Sequence, residues 1–275
     1  MINRGETMMN MTIMIRVMID GVESVEQVAE IQRDDLKSGN IGMNIEEAKS
    51  ILGSIQTTMV TAQASNWMEE HRRCGKCDAE LRCNGHHAIV LRSVFGKMNI
   101  KSQRLYRCSC DGTTRASFSP LAELLPERST PELTYLETKW ASLMSYGMTI
   151  NLLKDVLPVS KDLSTTAIRQ TVARVTQRLD GELGKEQYAF IEGTPNDWQA
   201  LPDSPESFVV GIDGGYVHAR NGTRKDGWFE VIVGKSIPTA GDAKCFGFIS
   251  RLDTKPKRRL HDILASQGLQ MNQSR

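Results

Sequence analysis

The sequence predicts an α+β protein of several small domains, and three observations predict it. Two cysteine pairs, Cys74-Gly-Lys-Cys77 and Cys108-Ser-Cys110, bracket a segment of strand-forming and basic residues. Capped helical stretches follow between Ser129 and Leu179. After residue 207 the hydrophobic period changes to short apolar runs that read as strands.

The totals bound the reading. A chain of 275 residues holds one large domain or two to three small ones. Its formal charge of +1 announces no nucleic-acid partner globally, so any DNA-binding face has to come from local patches. Four of the six cysteines stand in motif spacing, which argues for metal over disulfides and for a reducing compartment. Met8 to Ile19 is apolar but interrupted by Asn10 and Arg16, without the features of a signal peptide. The expectation is a soluble cytoplasmic protein, in which the Asn221-Gly222-Thr223 sequon is only a turn.

Residues 1–73 read as a strand followed by a helix. Ile13, Ile15, Val17 and Ile19 alternate and end at the turn Asp20-Gly21, while Val25 to Ile31 is too short to assign. Asn44 caps a helix whose stripe is Ala48, Ile51, Leu52, Ile55 and Met59, running to about Arg73. Packing against the rest of the chain explains that stripe; a dimer seam, and with it a homo-oligomer, is the alternative.

Residues 74–118 read as a zinc ribbon. His86 to Arg107 is strand, turn at Gly96, strand, and such a hairpin brings Cys108 and Cys110 back beside Cys74 and Cys77. Four thiolates in two close pairs suit tetrahedral zinc, and closed coordination makes the site structural. Cys83, His86 or His87 could replace one ligand. Cys245 reads as a buried small apolar residue.

Residues 119–180 read as a helix-turn-helix-like segment. Ser129-Thr130-Pro131-Glu132 suggests a capping box on Ser129. Gly147 breaks the first helix, Thr149 opens a second that stops at Pro158, and Ser164 or Thr165 caps a third with Ile168, Val172, Val175 and Leu179 inward. Gln170, Arg174 and Arg178 fall at i, i+4 and i+8 on that third helix, a stripe able to reach bases or phosphates.

Residues 181–207 are rich in Gly, Pro and acids and read as a linker. Phe208 to Asp213 is an apolar run ending in an acid beside Gly214-Gly215, a position suited to holding a divalent cation. Trp228 to Val233 and Phe246 to Ile249 are further strands, and Pro256 to Leu264 is a helix flanked by Lys255, Lys257, Arg258 and Arg259.

Taken in order, Cys74-x-x-Cys77, Arg92-Ser-Val-Phe-Gly96, Arg104-Leu-Tyr-Arg-Cys-Ser-Cys110, Leu124-Leu-Pro-Glu-Arg128, Leu136 to Leu143, Ser145-Tyr-Gly147, Val210-Gly-Ile-Asp-Gly-Gly-Tyr216, Val231-Ile-Val-Gly-Lys235 and Pro256-Lys-Arg-Arg-Leu260 resemble the front portion of a bacterial insertion-sequence transposase of the DDE type, in the Kra-type group. The resemblance covers about residues 30 to 270. It implies that residues 208–275 begin a ribonuclease-H-like α/β domain, with Asp213 the first carboxylate of a magnesium-binding Asp, Asp, Glu set. It implies magnesium-dependent DNA strand cleavage and transfer, with the ribbon and the helical segment binding the element's terminal inverted repeats or mediating assembly. The charge pattern adds local phosphate contacts from the basic residues of the ribbon hairpin and from Lys255, Lys257, Arg258 and Arg259. Such transposases are longer, and Asp242 and Asp253 match no motif, so only Asp213 carries over. The expectation is a truncated product, catalytically incompetent alone, with uncovered apolar sheet surface after residue 207. The alternative is a regulator or dominant-negative partner acting on the inverted repeats.

Overall fold

The computed structural model describes residues 8–35, 37–111, 116–186, 194, 196, 199–200, 208–219, 227–250 and 252–269. The sequon at 221–223 and most of the expected linker lie outside them. Helices and strands mix, and the three sheets among the described residues are antiparallel. No described helix is long and apolar enough to cross a membrane. The chain divides into two compact units, Met1–Arg174 and Val175–Arg275.

The first unit opens with a hairpin of β1 (Met9–Ile19) and β2 (Val22–Arg33). Asp20 and Gly21 both adopt positive φ, 49° and 79°, as a two-residue turn between paired Ile19 and Val22 requires. β1 is longer than the alternation of Ile13 to Ile19 suggests. β2 is a full strand where the sequence gives no firm assignment, because its Glu and Gln residues hide the pattern and pairing with β1 supplies the order.

α1 (Ile45–Glu70) starts at Asn44, whose side chain accepts from the Glu47 N–H while the Glu47 carboxylate accepts from the Asn44 N–H. The same carboxylate accepts from Arg33 at 2.7 Å, which ties the end of β2 to the start of the helix. Ile51 and Ala64 are buried on its inner face, whereas Leu52 and Met59, expected in the stripe, are exposed. The inner face follows Ile51, Val60, Ala64 and Trp67 instead.

The hairpin of β3 (Cys83–Ser93) and β4 (Gly96–Tyr106) is the hub of this unit. Its middle, Ile89, Leu91, Met98 and Ile100, packs with Ala64 of α1 and Leu121 of the short α2 (Pro120–Leu124). Its tip, Val94, joins Leu133, Ile150, Leu153, Val159 and Ile168 in a second core. That core is built by α3 (Pro131–Ala141), α4 (Tyr146–Val156) and the first half of α5 (Thr165–Glu182). A two-residue strand, β5 (Ser117–Phe118), extends the sheet beside β4.

The helix starts shift from the sequence reading. Thr130, not Ser129, caps α3 by accepting from the Leu133 N–H. Ser129 lies opposite Arg92 in a parallel bridge whose hydrogen bonds run from the Arg92 N–H to the Arg128 carbonyl and from the Thr130 N–H to the Arg92 carbonyl, so sheet-like pairing extends to Thr130 and the helix starts one residue later. Ser145 caps α4, and Gly147 sits in its first turn instead of ending the helix before it. Ser164 accepts from the Ala167 N–H and opens α5, along which Ile168 is buried and Leu179 exposed.

The second unit holds a meander of β6 (Phe208–His218), β7 (Trp228–Pro238) and β8 (Lys244–Ile249), followed by α6 (Pro256–Ala265). Phe246 lies so close over Gly234 that a Cβ there would be 2.1 Å from its ring. Val209, Ile212, Tyr216, Val217, Trp228, Val233 and Ile237 remain exposed, the uncovered apolar surface that three strands and one helix leave behind.

Candidate metal centre

Two short knuckles carry the four cysteines together. The first follows α1, whose end is fixed by stacking of Trp67 on His71, ring centroids 3.9 Å apart, and by the Trp67 Nε1–H donating to the Pro120 carbonyl. The chain then turns tightly. The Asp78 N–H donates to the Cys74 carbonyl, the Cys74 N–H to the Ala79 carbonyl, and Asp78 takes a positive φ of 55°. The second knuckle is a single helical turn, Ser109–Asp111, reached directly from β4. Because β3 and β4 are paired from Ser93 and Gly96 back to Cys83 and Leu105, the hairpin returns the second knuckle to the first.

The four sulfurs lie within 4.8 Å of one another. Cys74 Sγ is 3.5 Å from Cys110 Sγ, and Cys77 Sγ is 3.4 Å from Cys108 Sγ. These separations exclude disulfides, whose sulfurs stand about 2.05 Å apart. They are close to a metal–thiolate tetrahedron, in which bonds of about 2.3 Å give edges of roughly 3.8 Å. The quartet is therefore close enough to hold a metal ion, with no fifth protein group required. Cys83, His86 and His87 stand outside it, and Cys83 instead donates to the Gly85 carbonyl.

The knuckle backbone prepares the thiols for that role. The N–H groups of Lys76 and Cys77, and then the Cys110 thiol, bring Cys74 down to about 6, so it is ready as a thiolate. Cys110 moves the other way, because the sulfurs of Cys108, Cys74 and Cys77 crowd it and disfavour a second negative charge. A divalent cation removes that conflict by accepting all four sulfurs.

The other residues expected to serve DNA or metal are dispersed. Gln170, Arg174 and Arg178 do share an exposed stripe of α5. Gln170 and Arg174 line a polar cleft of about 350 Å³ with Glu127, Glu137 and Arg92, and Arg174 lies 3.8 Å from Glu127. Arg178 lies 3.8 Å from Glu182. Lys255 donates to the carbonyls of Asp180 and Leu183 at the end of α5. Arg259 pairs with Asp180 at 2.6 Å and Asp253 at 3.0 Å, and Arg258 pairs with Asp262. The backbone N–H groups of Lys257 and Arg258 donate to Glu186, which supplies the anion that the start of α6 otherwise lacks.

Asp213 lies in the middle of β6, not at its end. The apolar run does not end there: Gly214 and Gly215 pair with Ile232 and Val231 and continue the strand. Asp213 is exposed, accepts from the Gly214 N–H at 2.8 Å, and belongs to no group of three or more metal-ligating side chains among the described residues. Cys245 is exposed, because on β8 it alternates with Phe246, and Phe246 takes the inward position. The sequence reading missed the cleft around Glu137, a buried carboxyl on α3 whose only signal was an acid on the apolar side of a helix. No protein-family model matches the chain, and no curated protein matches it in sequence.

Proposed function

We propose that this chain is a zinc-stapled DNA-binding protein of the insertion-sequence transposase type, acting on terminal inverted repeats. The observation that carries the reading is the cysteine quartet at the open end of a basic hairpin. Zinc with four thiolates is closed to substrate, so its work is to fix the knuckles, and the fixed surface does the binding. Support comes also from the second unit. An antiparallel meander followed by a helix, with an acid on its first strand, is how a ribonuclease-H-like domain begins.

Magnesium is a different matter. Two-metal phosphoryl transfer needs several carboxylates converging on one point. Asp213 stands in no such group among the described residues. The reading thus assigns DNA binding to this chain, and regulation of the element's ends is its simplest consequence.

The test joins metal analysis to binding. The purified chain should carry stoichiometric zinc and bind a duplex bearing the terminal repeats with an affinity that falls as salt rises. Asp213→Asn should bind as the parent does. A folded protein with no zinc and no salt-dependent affinity for duplex would end the proposal.

A further inference from the structure

We infer that two copies of this chain join through the open edge of β1 and the neighbouring side of α1, as a two-fold dimer with a four-stranded antiparallel sheet at its centre. The inference concerns assembly and stands whatever the chain binds.

Missing charge is the first observation. From Ser50 to Asn66 α1 runs for seventeen residues without one Asp, Glu, Lys or Arg. A helix side that faces water normally carries charge. β1 holds one charged residue in its eleven, Arg16, and Glu23 across the hairpin pairs with it at 3.0 Å. β2 differs, because Glu23, Glu26 and Glu30 stand along it. Charge of that kind guards a strand edge, and β1 lacks it.

The second observation is what α1 leaves uncovered. The helix lies between two layers. The Thr58 hydroxyl donates to the Glu26 carboxylate of β2 at 2.9 Å, and Ile51, on the same side of the helix, is buried. Val60, Ala64 and Trp67 look the opposite way, into the core with β3 and β4. About 100° round from Ile51, between these two sides, Ile45, Leu52 and Met59 recur every seven residues and are 65, 40 and 44% exposed. Ser50, Thr57 and Thr61 form the other flank.

The open edge and the apolar stripe lie on the same side. A two-residue turn closes on a hydrogen-bonded pair, so Ile19 and, by alternation, Val17 and Ile15 direct their backbone groups to β2. Met18, Arg16 and Met14 direct theirs away, to an edge that no described strand pairs. Half-buried Ile13, Ile15, Val17 and Ile19 form the face under α1. The Arg33–Glu47 and Glu26–Thr58 contacts show that α1 runs antiparallel to β2, and so in the direction of β1. A right-handed helix laid on that face in that direction turns Ile45, Leu52 and Met59 toward β1, and Ser50, Thr57 and Thr61 toward β2.

A second copy fits this surface. Antiparallel pairing of β1 with its own copy about Met14 sets Ile13 beside Ile15, Thr12 beside Arg16 and Met11 beside Val17, so both half-buried faces stay on one side of the sheet. Such a pairing closes after two chains. It sets the centres of the two hairpins two strand spacings apart, about 9–10 Å, which is a packing distance for helices. The two α1 helices then meet antiparallel, with Leu52 and Met59 of each against those of the other. An uncharged apolar stripe matches an identical one and offers a charged partner nothing to pair.

Sedimentation equilibrium of the purified full chain at micromolar concentration tests this, with circular dichroism to compare the fold of each variant with the parent. The parent should sediment at twice the chain mass of 30.7 kDa. Leu52→Glu/Met59→Glu should bring it to the single-chain mass. Met14→Pro should do so by another route, because its N–H faces the open edge and the ladder to β2 keeps its bonds. Ser50→Glu/Thr57→Glu, on the other flank, should leave the dimer intact. A parent of single-chain mass leaves the surface to a different protein and overturns the inference. A dimer that survives both Leu52→Glu/Met59→Glu and Met14→Pro also overturns it. So does a mass that climbs with concentration beyond two chains, since addition of β1 to the β2 edge of another copy does not close.

Discussion

Cys108→Ser tests the metal centre through the long loops that it closes. Cys77 and Cys108 are 31 positions apart, and Cys74 and Cys110 are 36 apart. A clip across a loop of that size removes about 12 cal/mol/K of chain entropy from the unfolded state, or about 4 kcal/mol at 25 °C. The hairpin does not depend on metal alone, because Ile89, Leu91, Met98 and Ile100 share a core with α1 and α2. Loss of the clip should therefore lower stability without abolishing the fold. For a unit of this size about 2–4 °C is lost per kcal/mol, so the melting temperature should fall by about 8–16 °C. Thermal melts with and without a chelator, on the parent and on Cys108→Ser, measure it. The chelator should lower the parent toward the variant and leave the variant unchanged. Full zinc content and a parental melting temperature in Cys108→Ser would refute the quartet as a metal site.

Two further outcomes follow from packing and charge. Gly234→Ala should destabilise the second unit by about 1–3 kcal/mol, since the new Cβ meets the Phe246 ring; Phe246→Leu in the same chain should restore part of it in urea titrations. Glu137 is buried, and that burial, opposed by the Thr171 hydrogen bond and by Arg174 and Arg92, raises its pKa above the ordinary carboxylate value. A carboxyl raised in the folded state favours folding below its unfolded pKa, and the benefit is lost as pH rises through the folded value. Glu137→Gln should thus match the parent in acid and gain on it above neutrality, and a widening deficit with rising pH in a stability series would contradict this.

Much of the fold was legible because it is written in local chemistry. The cysteine spacing, the Gly96 turn, the Asn44 cap and the period change after residue 207 each demand a particular backbone, and each stands where the sequence places it. What escaped depends on partners distant in sequence. β2 is a strand because β1 lies beside it, not because Glu23, Glu26 and Glu30 favour one. Thr130 replaces Ser129 as cap because pairing with Arg92, far back in the chain, extends to the Thr130 N–H and sets the helix start one residue later. The basic residues of Lys255 to Arg259 look alike in sequence to those of the hairpin; only tertiary pairing with Asp180 and Asp253 distinguishes an internal brace from a free cation.

β6 has one further consequence. One of its edges is unpaired among the described residues, and its eleven residues carry a single formal charge, Asp213. An apolar strand with an open row of backbone donors and acceptors invites another chain to add to it, and a central charge is how natural edges deter that. Asp213 therefore guards solubility whatever else it does. Replacing it with Ala removes the deterrent and favours edge-to-edge aggregation, so loss of function in such a variant reports self-association as readily as chemistry. Asp213→Lys, which abolishes cation binding but keeps a charge on the edge, separates the two.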